Sequence, residues 1–540
     1  MLNAYQALRT GSRFLIHSGR AVWASQSGAL RLAGLVGILL FSFWAGMSPH
    51  WDYPYPLHVD EWFAIGRAQS TLDANGLQYP SPYGQGEISF HPEMGFHLML
   101  GFLKTATGLS WMGLYRVAPG VLLALMAFLT YAFGRRSGFG WAAALFVPLI
   151  PTSIRTLGPA FVVPLSAAML FIPVTLLALH TMEARSRGRT LWVLVVLIGG
   201  TIFVHPPTEG VVTALAVLYL ASFVAEALAR RRYREGVDLV LAMGARMLIP
   251  VVILGLWLPS VSKQVLTESM SGAGGIEELL GFHTGFPEAF GVVAVAVSIV
   301  GLFFFISRGE YGAQSYILPL FTGLLLAFQL VFFPRYQLGP AILYERGWSY
   351  LGLLMAILAG YGVAVYFRSI PVIARALASW VRRTPSGWMA VSLWLMGIAL
   401  VLFALTTGLV ANEDRQGYPR YYHLINGPVY ADFRWIGQHT APGQTVAIGE
   451  PSMGWAYPPV AGPGKTVFEA VASPWTTERA DRMRRMLASG DVDVLWLREQ
   501  DVSVFYACWP VTFTCEELTS NELFKVRHGV YLVPNSSDTR

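Results

Sequence analysis

Leu57-His58-Val59-Asp60-Glu61-Trp62-Phe63 sets two adjacent carboxylates among aromatic side chains, shortly after a long apolar run (residues 30–48) ends. Ionisable groups beside a membrane span are costly to hold, and where they persist they mark a pathway or a reaction site. A carboxylate so placed takes a proton from a hydroxyl or positions a cation. The plain alternative is an acidic loop at a membrane surface. The surrounding chain decides between the two.

The chain has 540 residues, of which 54% are hydrophobic and 13% charged, with a mean hydropathy of +0.49. Soluble proteins do not have this composition. Apolar runs lie near 30–48, 115–133, 138–152, 164–182, 191–204, 210–229, 237–259, 289–307, 313–333, 347–366 and 388–411. They predict a polytopic α-helical membrane protein of about eleven transmembrane helices. The net charge of +6 sits in short inter-helix loops, which argues for a topology signal and against nucleic-acid binding. About 30 residues precede the first run, too many for the charged end of a cleavable signal, so that run is expected to remain as an anchor.

Arg9, Arg13, Arg20 and Arg31 precede the first span and place residues 1–29 in the cytoplasm. If 94–109 does not cross, Arg135-Arg136, the arginines of 185–189 and 230–234, Arg308 and the arginines of 368–383 all fall inside as well. Arg67, Arg155, Lys263, Arg335 and Arg346 are then the outer basic residues. If 94–109 crosses, every later loop inverts. The segment is short and carries His97 and Lys104, and reads as a juxtamembrane or re-entrant helix. The outer loop 49–93 and a tail, 412–540, then lie on the extracytoplasmic side of a transmembrane module spanning 30–411.

The tail changes character. Val429–Gln438 reads as a short helix, Thr445–Gly449 and Lys465–Phe468 as strands, Thr477–Ser489 as an amphipathic helix and Val492–Leu497 as a buried strand. A final strand falls within Phe524–Val533, with Arg527-His528-Gly529 as its turn or bulge. The alternation predicts a small α/β domain. The only cysteines, Cys508 and Cys515, have a spacing that closes a hairpin disulfide if the compartment is oxidising.

The first loop is rich in aromatics (Trp51, Tyr53, Tyr55, Trp62, Phe63, Tyr79, Tyr83, Phe90), and Glu61–Leu72 suits a helix in the interface plane. The order is a basic N-terminus, one span, an outer loop with Asp60-Glu61, an interfacial helix, then Phe90-His91-Pro92-Glu93 leading into an apolar helix. It resembles the GT-C superfamily of integral-membrane glycosyltransferases, and within it the protein O-mannosyltransferases and lipid A aminoarabinose transferases. In those families a first-loop Asp, often followed by Glu, is the catalytic carboxylate, and a following segment begins His-Pro-Pro or Lys-Pro-Pro. Here Glu93 stands in place of the second Pro. The sharp motifs are confined to roughly residues 57–116. The resemblance implies a GT-C-like fold, a polyprenyl-phosphate-linked sugar donor, and a glycan, lipid or protein acceptor at the outer face. It implies Asp60 as catalytic base, with Glu61 orienting it or holding the acceptor or a divalent cation (Mg2+ or Mn2+), so that both carboxylates are candidate metal ligands. Direct displacement at the sugar would invert its anomeric centre.

Further candidates follow from residue type and place. His58 and His91 suit acceptor or phosphate binding, against a helix-capping role for His91 next to Pro92. Arg155, Arg335 and Arg346 suit a phosphate, against snorkelling to the interface. His205-Pro206-Pro207-Thr208-Glu209 breaks two helices on the outer side, where His205 and Glu209 either line an acceptor site or serve a tight turn. Arg116 matches an arginine in the same region of the resembled families. No phosphate-binding Gly-rich loop or nucleophile elbow occurs. The competing readings are a transporter or flippase for a lipid-linked substrate, and a catalytically silent GT-C-fold subunit.

Overall fold

The computed structural model describes residues 28–84, 86–88, 93–150, 158–181, 187–238, 240–246, 290–308, 317–336, 341–381, 386–413, 422–471, 477–509, 514–518 and 523–534. The chain forms two compact units. One comprises Met1–Ser48, Pro119–Ala160 and Pro164–Arg415; the other comprises Pro49–Ala118, Phe161–Val163 and Gln416–Arg540.

In chain order the helices of the N-terminal part are α1 (Gly28–Met47), α2 (Val59–Ala74), α3 (Met94–Thr107), α4 (Trp111–Arg135) and α5 (Gly140–Phe146). There follow α6 (Pro164–Met169), α7 (Phe171–Thr181), α8 (Arg187–Val204), α9 (Pro206–Ala229), α10 (Val292–Arg308), α11 (Ile317–Ala327), α12 (Ala341–Val381) and α13 (Ser386–Glu413). Among the described residues, six helices are long and apolar enough to cross a membrane: Ala29–His50, Trp111–Arg135, Pro206–Ala229, Ile317–Tyr336, Leu343–Ser379 and Gly387–Ala411. Gly140–Leu149, Pro164–His180, Leu191–Val204 and Val292–Ser307 are shorter apolar helices at further expected spans. The remaining expected span, 237–259, lies largely outside the described residues. The protein is an integral membrane protein. Trp388, Leu395 and Phe403 of α13 are exposed, and an apolar exterior of this kind belongs against acyl chains.

The membrane unit is organised on α12. A Cβ at Gly301 of α10 would collide with the Leu358 carbonyl of α12, so the two backbones meet where only hydrogen fits. A π-helical turn, Phe328–Phe332, interrupts the helix that continues α11. Its Gln329 is fully buried and donates from Nε2 to the Tyr344 carbonyl at 3.0 Å.

α3 spans about 21 Å at 1.5 Å per residue and ends at left-handed Gly108, too short to cross a bilayer core of about 30 Å. It packs with α2 in the second unit. That unit combines the first loop with the tail, although the sequence reading grouped 49–93 with the transmembrane module. The tail contributes α14 (Gly427–His439), β3 (Thr445–Ile448), α15 (Tyr457–Ala461), β4 (Thr466–Val467), α16 (Glu478–Ser489), α17 (Val494–Glu499), β5 (Val502–Tyr506), β6 (Phe524–Arg527) and β7 (Val530–Leu532). A small hairpin of the first loop supplies β1 (Tyr79–Pro80) and β2 (Glu87–Ile88).

The five-stranded sheet has the order β4-β3-β5-β7-β6, with β4, β3 and β5 parallel and β7 and β6 antiparallel. Met483, Met486 and Leu487 of α16 and Leu497 of α17 pack on Phe505 and Tyr531 to form its core. The first loop meets the β4 edge, where Val467 N–H donates to the Pro82 carbonyl at 2.9 Å. Two expectations are corrected. Val492–Leu497 is not a strand: the Asp493 side chain accepts Trp496 N–H at 3.0 Å and starts α17, and the strand follows at Val502. The last segment is a hairpin of two strands turning at His528–Gly529, where Gly529 has φ +71°. Cys508 and Cys515 are joined as a disulfide.

Candidate active site

The Asp-Glu pair forms the first turn of α2. His58 is its N-cap, with extended backbone, and Nδ1 of His58 accepts Asp60 N–H at 3.0 Å. That bond assigns the ring proton to Nε2 when the imidazole is neutral. Glu61, at the third helical position, closes a capping box: Oε2 accepts Leu57 N–H at 2.7 Å and His58 N–H at 3.1 Å. Its other oxygen, Oε1, accepts Val162 N–H at 2.8 Å, from a segment about a hundred residues on. One carboxylate thus ties three stretches of chain together.

The two acids differ in access. Glu61 is fully buried, whereas the Asp60 side chain is 41% exposed. Burial pushes Glu61 up to about 7, the three amide bonds oppose that rise, and the neighbouring Asp60 charge adds to it. Asp60 is therefore the solvent-accessible carboxylate of the pair, and Glu61 is the one that holds the turn. A cation or acceptor contact at Glu61 would compete with its amide bonds. Among the described residues no group of three His, Cys, Asp or Glu side chains is placed to hold a metal ion.

Aromatic rings surround the turn. His58 lies 5.3 Å from Phe161 and 5.4 Å from Tyr422, centroid to centroid. Tyr422 pairs with His58 in an isolated antiparallel bridge, and His423 N–H donates to the Leu57 carbonyl at 3.0 Å. Tyr53 stacks on His423 at 4.1 Å. On the far side of α2, Tyr83 Oη donates to the Trp62 carbonyl at 2.9 Å, in space that only the glycine at position 66 leaves open. Most of the first three turns of α2 are buried, so the helix is enclosed on more sides than an interface stripe requires.

The other expected residues fall as follows. His91 and Arg155 lie outside the described residues. In the membrane unit, His205 caps α9, is buried, and has Nδ1 2.8 Å from Thr208 Oγ1, which lies 2.8 Å from Tyr350 Oη. Arg346 is half-buried and within electrostatic reach of His205. Glu209 Oε1 accepts from Thr213 at 2.6 Å, and Arg335 is exposed. The structure thus brings His58, Asp60 and Glu61 together in one unit, and His205 and Arg346 in the other. Phe161, Tyr422 and His423 were not singled out from the sequence, and Tyr53 only as one of the first loop's aromatics.

Solved structures of three membrane glycosyltransferases share this architecture. The Archaeoglobus fulgidus oligosaccharyltransferase tethered with an acceptor peptide superposes with a TM-score of 0.58 at 11% identity, covering 89% of this chain and 69% of that one. ArnT from Cupriavidus metallidurans bound to undecaprenyl phosphate gives 0.51 at 13% identity, covering 94% and 99%. The arabinofuranosyltransferase AftD from Mycobacteria gives 0.55 at 16%, covering 95% of this chain and 40% of that one. The fold is GT-C. At these identities the GT-C likeness is one of architecture, and residue roles rest on the geometry above. No family profile and no curated protein matches the chain.

Proposed function

We propose that the chain is a membrane glycosyltransferase that moves a sugar from a polyprenyl-phosphate donor to an acceptor hydroxyl at the extracytoplasmic face. The carrying observation is the division of labour at the start of α2: a reachable Asp60 set on a turn that buried Glu61 and His58 lock. Transfer needs a carboxylate near the acceptor, and GT-C relatives bind undecaprenyl phosphate or dolichol-phosphate in their own structures.

In this reading Asp60 takes the proton as the acceptor oxygen attacks the anomeric carbon. The carbon–oxygen bond to phosphate breaks, and polyprenyl phosphate leaves with the electron pair. A single displacement inverts the anomeric centre. Within the membrane unit, Arg346, half-buried and within electrostatic reach of His205, is a candidate phosphate contact.

The test is transfer of radiolabelled sugar from native lipid extract to membrane acceptors, with wild type and Asp60→Asn at equal expression. Loss of label in the variant is expected. Equal labelling would remove Asp60 as base. No labelling by either chain would favour a transporter or a silent subunit. An isolable glycosyl-enzyme would overturn the single displacement.

A further inference from the structure

Four rings make a continuous, partly exposed row beside the acidic turn. His423 stacks on Tyr53 at 4.1 Å, Tyr53 meets Tyr55 edge-on at 5.3 Å, and Tyr55 meets Tyr430 at 5.1 Å. They come from two short segments, 53–55 and 423–430, both in the same compact unit as Asp60. His423 is exposed and the three tyrosines are half-buried.

The row is held in place. Tyr53 Oη donates to the Ile425 carbonyl at 2.7 Å and receives Ile425 N–H at 3.3 Å. His423 adopts φ +54°, a left-handed conformation rare for a side-chain-bearing residue and retained where the surroundings enforce it. At the inner end, the Tyr422 hydroxyl is buried without a hydrogen-bond partner and lies within electrostatic reach of Asp60 and Glu61. A buried hydroxyl left unsatisfied is costly, and a hydroxyl-rich ligand would satisfy it.

We propose that His423, Tyr53, Tyr55 and Tyr430 form a stacking track for an oligosaccharide acceptor, with the Tyr422 hydroxyl at its inner end beside Asp60. The substrate class is therefore a glycan, and the inference rests on the glycosyl-transfer reading above. Sugar rings present flat C–H faces that pack on aromatic faces, while their hydroxyls reach hydroxyl and imidazole groups at the rim. A lipid chain asks instead for an unbroken apolar groove. An aromatic belt at a membrane interface consists of rings spread around the perimeter, not of rings in mutual contact.

The test uses the full-length protein in nanodiscs and a panel of linear tetrasaccharides of mannose, glucose, galactose and arabinose. Saturation-transfer NMR and titration measure binding without donor. At least one tetrasaccharide is expected to bind. Tyr55→Ala and Tyr430→Ala should weaken it about tenfold each, and Tyr55→Phe should stay within about twofold, since stacking needs the ring and not the hydroxyl. Failure of the whole panel to bind wild type would overturn the track, as would unchanged affinity in both alanine variants. Transfer of label to a peptide or lipid without glycan binding would leave glycosyl transfer standing and remove the glycan assignment. Normal transfer by Asp60→Asn would remove the base while the binding result still decides the track.

Discussion

Two helix starts in the same unit are capped by a carboxylate, and they behave in opposite ways. Asp493 begins α17, accepts Trp496 N–H, pairs with Arg482, and is 43% exposed. Those two bonds hold it below the usual carboxylate range. Glu61 in the first turn of α2 accepts three amides and is fully buried, and burial pushes it up to about 7. More hydrogen bonds thus accompany a less acidic group, because desolvation outweighs them. The exposed cap stabilises a helix. The buried one joins Leu57, His58 and Val162, and so fixes the orientation of its neighbour, Asp60.

The sharpest break of this comparison is at Asp60. Asp60→Asn should lower the transfer rate by about 10²–10⁴-fold, the usual span for a lost proton acceptor. Its thermal midpoint should stay close to wild type, because a half-exposed side chain of similar shape is retained. Asp493→Asn, measured in parallel, should leave the rate unchanged. If the two variants lose activity alike, the distinction between a reactive and a structural carboxylate fails.

Next in size is Glu61→Ala. It strips three amides of their acceptor and leaves a hole, a combination expected to cost about 3 kcal/mol or more. Both stability and transfer should fall, since Asp60 loses its support. Glu61→Gln keeps one oxygen for one group of donors and should cost less, about 1–2 kcal/mol. Denaturation of purified protein orders the two. A Glu61→Ala protein with normal stability and no transfer would make Glu61 a direct participant in the reaction instead.

A third contrast concerns the cations. Arg346→Gln should raise the KM for the lipid donor several-fold with the acceptor KM unchanged, as loss of a phosphate contact predicts. Arg479→Gln, on the charged face of α16, should alter neither constant. Arg479 instead sits over the Phe468 ring at 5.4 Å, a contact within the C-terminal domain.

The membrane fold was legible because apolar runs and basic loops follow from bilayer physics alone; each run that is described is helical. α14, β3, β4 and α16 were legible for a similar reason, having their caps and periodicity in local sequence. Val492–Leu497 was misread because a short apolar run has no period of its own, and the Asp493 cap decided it. At the site, Asp60 stood out as one of a paired acid beside a span. Which member of the pair is buried was not legible. Val162 N–H reaches Glu61 from a distant segment, and Tyr422 and His423 reach Leu57 and His58 from the tail. Which acid turns inward depends on those long-range contacts.

The smallest effect is also the most discriminating, because the two caps should respond to pH with opposite signs. Glu61 has a raised folded pKa, so the stability it contributes is full below about 4.5 and is lost as pH rises through about 7. Asp493 has a depressed one, so its contribution is present above 3.8 and is lost as pH falls through its lower folded value. Asp493→Ala should cost about 1 kcal/mol near neutrality, the usual value of an N-cap, and that penalty should shrink in acid. The penalty of Glu61→Gln should be largest in acid and shrink as pH rises, because Gln does not titrate whereas the wild type loses stability as Glu61 ionises. Thermal midpoints of both variants and wild type across the acid-to-neutral range separate the cases. If the two penalties move in the same direction, Glu61 is not held in a desolvated site, and the inward-facing member of the pair loses its proposed reason for being there.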